Sequence, residues 1–245
     1  KAYLVRQYET IPTPFSYDYI TGWKQLFTFA PTVVMLTMLV LGYLVAGIFS
    51  GEFAQKADAV FFTSVYGRNK AVLAKIQAGF LAVTSVYFAA FLLYTAAVLL
   101  YLGADGWNLA VQVDWGSWKC FYHLRIWQKY LLILVGGYLG CLFLSFLGML
   151  VSAKTRSSVP AVMVPVLLIF LPSFLGNLDS PVVSKVISLL PDQLLQAGQA
   201  LDYFELYTIG GKVLGAVPIL LTVYMILTIL LLPALYQGYR RKEIG

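Results

Sequence analysis

Five intervals of this chain contain no charged residue over a length that crosses a bilayer. They run from Lys24 to Glu52, Lys75 to Asp105, Lys129 to Lys154, Arg156 to Asp179 and Lys212 to Arg240. A helix needs about 20 apolar residues to span the hydrocarbon core, and each interval supplies that number or more. The fold class expected is therefore all-α: a polytopic α-helical membrane protein. Spans are placed at about 27–50, 77–102, 130–152, 158–175 and 213–236. Composition excludes the soluble alternative of a large buried core. Hydrophobic residues make up 60% and charged residues 11%, where soluble domains carry roughly 25% charged.

If the tail Arg240-Arg241-Lys242 is cytoplasmic, the loops 51–76 and 153–157 are cytoplasmic too. Segments 1–26, 103–129 and 176–212 are then outside. The inner segments carry a net charge of +6 and the outer ones balance to zero. Lys and Arg alone, nine inside against eight outside, discriminate the sides weakly. All five tryptophans (Trp23, Trp107, Trp115, Trp118 and Trp127) fall in the outer segments, where an amphipathic ring sits well at headgroup level. With five spans the chain would begin outside at Lys1, and residues 1–26 are too polar to export themselves. The expectation is that a further span precedes Lys1, with 1–26 an extracellular segment descending to the membrane domain of 27–245.

Between Glu52 and Ile76 lies the most informative loop. Phe53, Ala57, Val60, Phe61 and Val65 recur at steps of three and four, one face of a helix. Tyr66-Gly67 would end it, because glycine adopts the left-handed C-terminal conformation at little cost. Asn69 would cap a second helix running through Lys70 and Lys75 into the membrane. This gives an amphipathic elbow with Arg68 and Lys70 at its bend. Lying flat among anionic headgroups is the plain alternative for such an element.

The run GIFSGEFAQKADAVFFTSVYGRNKAVLAKI, residues 47–76, resembles the segment after the second span of type-2 ATP-binding-cassette (ABC) permeases. Glu52, Gly67, Arg68 and Lys75 stand at the matching positions. Ala57 stands where many relatives have glycine. In that family the segment is the coupling helix that docks on the ATPase subunit, which implies the same role for about 53–69. The ATPase-coupling residues implied are Glu52, Phe61, Val65, Tyr66, Gly67, Arg68, Asn69, Lys70 and Lys75. The family has six spans, so five of six would be present here. Partners implied are cytoplasmic ABC ATPase subunits and a second permease copy or a different permease. ATP and Mg would be bound by the ATPase, and no cofactor by this chain. The location implied is the bacterial cell membrane, multi-pass, with the C-terminus cytoplasmic.

Other features carry less. Gly136 and Gly140 form a GxxxG spacing that lets another helix approach closely. Pro160, Pro165, Pro172, Pro218 and Pro233 are tolerable in spans. In 176–212, helices are expected to start near Ser180-Pro181 and Pro191-Asp192, and short outer helices before the last span also fit the resemblance. Cys120 and Cys141 have no metal or redox spacing, though a thiol at Cys120 could pair between subunits. The single histidine, His123, lies in an outer segment. No HExxH, GxSxG, paired intramembrane aspartates or phosphate-binding loop occurs. No catalytic, metal or cofactor-binding residue is expected, and the chain is not an enzyme by itself.

Because the spans lack ionisable interiors, a proton- or sodium-coupled carrier is disfavoured. The leading expectation is a permease subunit of an ATP-driven exporter. Its cargo would be amphipathic or hydrophobic (a peptide, a lipid-like or a drug-like molecule), met by Tyr43, Tyr87, Phe88, Phe91 and Tyr94. The alternative is a non-transporting assembly or sensor subunit that binds a partner through its outer aromatic segments.

Overall fold

The computed structural model describes residues 5, 6, 9, 19–55, 70–114, 117, 120–175, 187–201, 206–209 and 212–240. Its elements are α1 (Thr21–Ala54), α2 (Lys70–Leu102), a 3-10 turn (Val111–Val113), α3 (Ile126–Thr155), α4 (Ser158–Leu175), the short α5 (Asp192–Leu195) and α6 (Ala197–Ala200), β1 (Leu206–Ile209), β2 (Lys212–Gly215) and α7 (Ala216–Arg240). Four helices, α1, α2, α3 and α7, are long and apolar enough to cross a membrane. The fifth expected span, α4, is an apolar helix of 18 residues, about 27 Å at 1.5 Å per residue. It is shorter than the other four.

The long helices outrun the apolar intervals. Helix α1 begins at Thr21 rather than 27 and α3 at Ile126 rather than 130, while α2 begins at Lys70, where a helix running through Lys75 into the membrane was expected. A helix satisfies its own backbone polar groups, so it continues beyond the hydrocarbon, and hydropathy alone marks only the buried stretch. Trp23 and Lys24, expected in the outer segment, are thus already helical.

Successive helices alternate in direction. At one end, the Trp23 ring Nε1 donates to the Ala104 carbonyl just past α2 at 3.1 Å, and Trp127 N donates to Trp107 O. At the other, the Ser152 hydroxyl of α3 donates to the Ala46 carbonyl of α1 at 2.6 Å. Trp23, Trp107 and Trp127 share the first end, as expected of them. Trp115 and Trp118 lie outside the described residues.

Helix α3 is central, packing against α1, α2, α4, α7 and the short pair α5–α6. Its sequence explains this. Gly136, Gly137, Gly140, Cys141, Ser145, Gly148, Ser152 and Ala153 are all buried on it, and small residues let helix backbones approach where lipid removes any hydrophobic drive to associate. A Cβ at Gly136 would lie 2.8 Å from the Ala197 Cβ, and one at Gly140 would lie 2.9 Å from the Leu195 Cδ2. The GxxxG spacing therefore seats α5 and α6, not another span. Large apolar side chains face outward on the long helices, including Leu36, Leu81, Leu93, Leu100 and Ile229, as a bilayer-embedded surface requires.

One departure from all-α is the antiparallel hairpin β1–β2, whose register pairs Leu206 with Gly215 and Ile209 with Lys212. It displaces the start of the last helix to Ala216 from the expected 213. The helix expected at Pro191-Asp192 is present as α5. The one expected at Ser180-Pro181 lies outside the described residues. Pro165 and Pro172 sit inside α4, Pro233 inside α7 and Pro31, unremarked in the sequence, inside α1. Cys120 is fully buried, which corrects the expectation that its thiol could join two subunits.

Candidate functional site at the Glu52 end

The end of the bundle opposite the tryptophans is fastened by a charged cluster drawn from three helices. Glu52 in the last turn of α1 pairs through Oε1 with the Lys75 ammonium of α2. The Tyr239 hydroxyl, near the end of α7, donates to Glu52 Oε2 at 3.3 Å. The ammonium lies 5.3 Å from the Phe49 ring centre and 5.2 Å from that of Tyr239. These two rings meet edge to face at 4.9 Å and are both fully buried. The Glu52 and Lys75 side chains keep only 18% and 15% of their exposure, so the attraction is weakly screened by water.

Helix geometry accounts for the convergence. Glu52 follows Phe49 by three residues and so shares its face, while Lys75 follows the buried Val72 of α2 by the same step. The hydroxyls of Ser50 and Ser152 both donate to the Ala46 carbonyl, at 3.0 and 2.6 Å, drawing α3 onto the same turn of α1. This arrangement holds no nucleophile beside a base. What it does is mechanical: it locks together both ends of the segment 53–74 and the final turn of α7.

Of the sequence-derived coupling residues, the structure brings Glu52 and Lys75 into direct contact and places Lys70 at the first position of α2. Phe61, Val65, Tyr66, Gly67, Arg68 and Asn69 lie outside the described residues. Sequence reasoning missed Tyr239 and Phe49. The signal for Phe49 was its three-residue spacing from Glu52; Tyr239 lies 187 residues from its partner, and no local pattern points to it.

The residues expected to face cargo divide. Tyr43 is 77% exposed on the outward stripe of α1. Tyr87 and Phe91 are buried and are corrected to packing residues. Their rings stack at 5.8 Å, the Tyr87 hydroxyl donates to the Leu134 carbonyl of α3 at 2.9 Å, and Phe88 lies against Tyr138. The Tyr94 hydroxyl donates to the Leu26 carbonyl of α1 at 2.9 Å. The aromatic face of α2 thus binds α1 and α3. Tyr87→Phe is expected to lower stability by about 1 kcal/mol, the usual worth of an interhelical hydrogen bond in a membrane, read as a small drop in midpoint on unfolding in detergent.

A second buried ion pair lies at the Trp23 end. Lys129, in the first turn of α3, stands 3.8 Å from Asp114, bonds the Ser117 hydroxyl and lies 4.8 Å from the Phe27 ring centre. It anchors the loop between α2 and α3. The loop leaves α2 at Gly103, whose φ of +87° is the left-handed helix ending that glycine reaches without strain.

No known family's sequence pattern, no curated protein and no solved structure matches this chain. The functional reading therefore rests on the geometry above and on the resemblance of residues 47–76.

Proposed function

We propose that this chain is a membrane-spanning subunit of an ATP-driven exporter of the type-2 ABC kind. In this reading it moves a hydrophobic or amphipathic cargo outward, and ATP and Mg are bound by a separate ATPase that docks on residues about 53–69. The observation that carries the proposal is the Glu52–Lys75–Tyr239 cluster. Both flanks of the coupling segment are tied to each other and to α7 by a pair shielded from water, so force applied to the segment reaches α1, α2 and α7 together. A loop resting passively on lipid has no need of such a root. The chain itself performs no chemistry in this account.

Further support comes from the spans. The interiors of α1, α2 and α7 between their terminal charges carry no ionisable side chain of Asp, Glu, Lys, Arg or His, which leaves no proton or sodium relay and calls for an external energy source. Cargo would pass along the outward stripe of α1 that carries Tyr43, against a second permease copy or a different permease. The membrane would be the bacterial cell membrane, with the Glu52 end and the C-terminus cytoplasmic.

The test is to isolate the chain with its ATPase from native membranes and reconstitute the complex. Arg68→Glu or Gly67→Pro is expected to lower permease-dependent ATP hydrolysis by about ten-fold or more, equivalent to ~1.4 kcal/mol of lost coupling, with membrane insertion intact. Unchanged hydrolysis in both variants, or isolation without any ATPase, would reject the proposal in favour of a non-transporting assembly subunit.

A further inference from the structure

On the Glu52 half of the bundle, α2 and α7 part over α3 and leave a cavity of about 600 Å³, open on one side. Its floor is Leu142 and Phe146 of α3, and its walls are Phe80 and Leu81 of α2 and Met225 and Ile229 of α7. The Thr228 hydroxyl on the α7 wall donates to the carbonyl of Tyr224 in its own helix at 2.6 Å. It therefore presents little unmet polarity to the space. The volume lies within the roughly 300–1,000 Å³ of small-molecule sites.

Depth decides the occupant. Helix α2 has 33 residues and is about 50 Å long at 1.5 Å per residue, against a hydrocarbon core of about 30 Å. If it is centred, about 10 Å projects at each end. The groove begins at Ile76 and Gln77, about 10 Å in from Lys70 at the same rise. Its mouth therefore falls where headgroups meet hydrocarbon. From there the wall of α7 and the floor of α3 run about 10 Å, some two helical turns. A partner span would need a seat along most of the bilayer, and two turns are too few for one. They suit part of a single acyl chain, whose leaflet is about 15 Å deep.

The headgroup level has its own chemistry. Lys70 is exposed and shares a face of α2 with Gln77, seven residues and two turns below it. Lys154 and Arg156 are exposed at the same end. Basic groups beside a helix seam favour anionic headgroups.

The geometry points to a binding site for an anionic phospholipid of the leaflet at the Glu52 end. One acyl chain lies in the groove between α2 and α7 and the phosphate sits beside Lys70. This inference needs only that the helices cross a bilayer, and it is independent of the exporter reading.

The test uses the purified full chain in detergent with phosphatidylglycerol or phosphatidylcholine carrying a photoreactive acyl chain, the crosslinked peptides being mapped by mass spectrometry. Labelling is expected to concentrate on groove residues by several-fold over other lipid-exposed positions of that half, such as Tyr43 and Met163. Phosphatidylglycerol should label the groove about five-fold more than phosphatidylcholine. Lys70→Glu should erase that preference while labelling of the groove persists. Leu81→Trp, which fills the groove, should abolish the concentration of label. Because the unmodified chain supplies the first two readouts, failure of either variant to fold leaves the test intact. Even labelling around the bundle would overturn the inference. So would equal labelling by the two lipids, or a groove labelled only after a dimer dissociates, which would show that a second copy covers it.

Discussion

Lys75→Met is expected to lower the stability of the folded chain by about 3–5 kcal/mol, because it leaves the Glu52 carboxylate with the Tyr239 hydroxyl and no cation to meet it. Half of that loss is expected to return in the double variant Glu52→Gln/Lys75→Met, where two neutral side chains of similar length fill the space. The measurement is detergent or denaturant unfolding of wild type, both single variants and the double variant, followed by circular dichroism. A positive interaction energy of 1 kcal/mol or more across the cycle is expected for residues in direct contact. If all four proteins unfolded together, the pair would be an exposed contact of negligible worth, and the mechanical role assigned to it would fall. In the exporter reading the same single variants should uncouple hydrolysis from transport, since the roots of the segment 53–74 would no longer hold against each other.

Gly136→Leu should be nearly as damaging, at about 3 kcal/mol or more, because the added side chain has no direction to go. Even the first carbon would lie 2.8 Å from the Ala197 Cβ and 3.4 Å from the Leu194 carbonyl oxygen. Neither atom is the movable tip of a flexible side chain, so α5 and α6 must leave their seat on α3. Overpacked cores generally lose about 1–3 kcal/mol, and backbone displacement places this site at the upper end. The decisive comparison is an exchange. Gly136→Ala alone should be destabilising, and adding Ala197→Gly should restore most of the loss by moving the methyl from one side of the contact to the other. Restoration by Ala197→Gly is the signature of this particular contact, since a generic intolerance of substitution on α3 would be indifferent to it.

Four spans were legible because a single property, freedom from charge over twenty residues or more, is sufficient to define them, and the same property marked the shorter apolar helix α4, expected as a fifth. Their ends were less so. Hydropathy reports where lipid begins, whereas the helix stops where capping chemistry allows, as at Gly103 and at Arg156 with its φ of 60°. The hairpin before α7 was missed although its signal is present. Gly210-Gly211 separates Leu206-Tyr207-Thr208-Ile209 from Lys212-Val213-Leu214, and a glycine pair between two short runs is a mark of a two-residue hairpin loop, but an apolar stretch continuing into the last span concealed it.

At the candidate site, Glu52 and Lys75 came from family resemblance, and their pairing is a tertiary fact 23 positions apart in sequence. Tyr87, Phe91 and Tyr94 show how one pattern supports two readings. Their spacing of four and three puts them on one face of α2, and an aromatic face serves helix packing as readily as it serves cargo. On α3, GxxxG was a fragment of a longer series of small residues extending to Ala153, and only the whole series marks the helix as central.

The turn between α3 and α4 has a mechanical implication. Only Arg156 and Ser157 separate the two helices. Arg156 N donates to the Ser152 carbonyl and the Thr155 hydroxyl to the Ser157 carbonyl, at 3.1 and 3.2 Å. Two residues reach about 7 Å even when fully extended, and these bonds take up what slack remains. The two helices are thus yoked like the arms of a folded rule, and any large sliding motion in this molecule has to find its slip plane somewhere else.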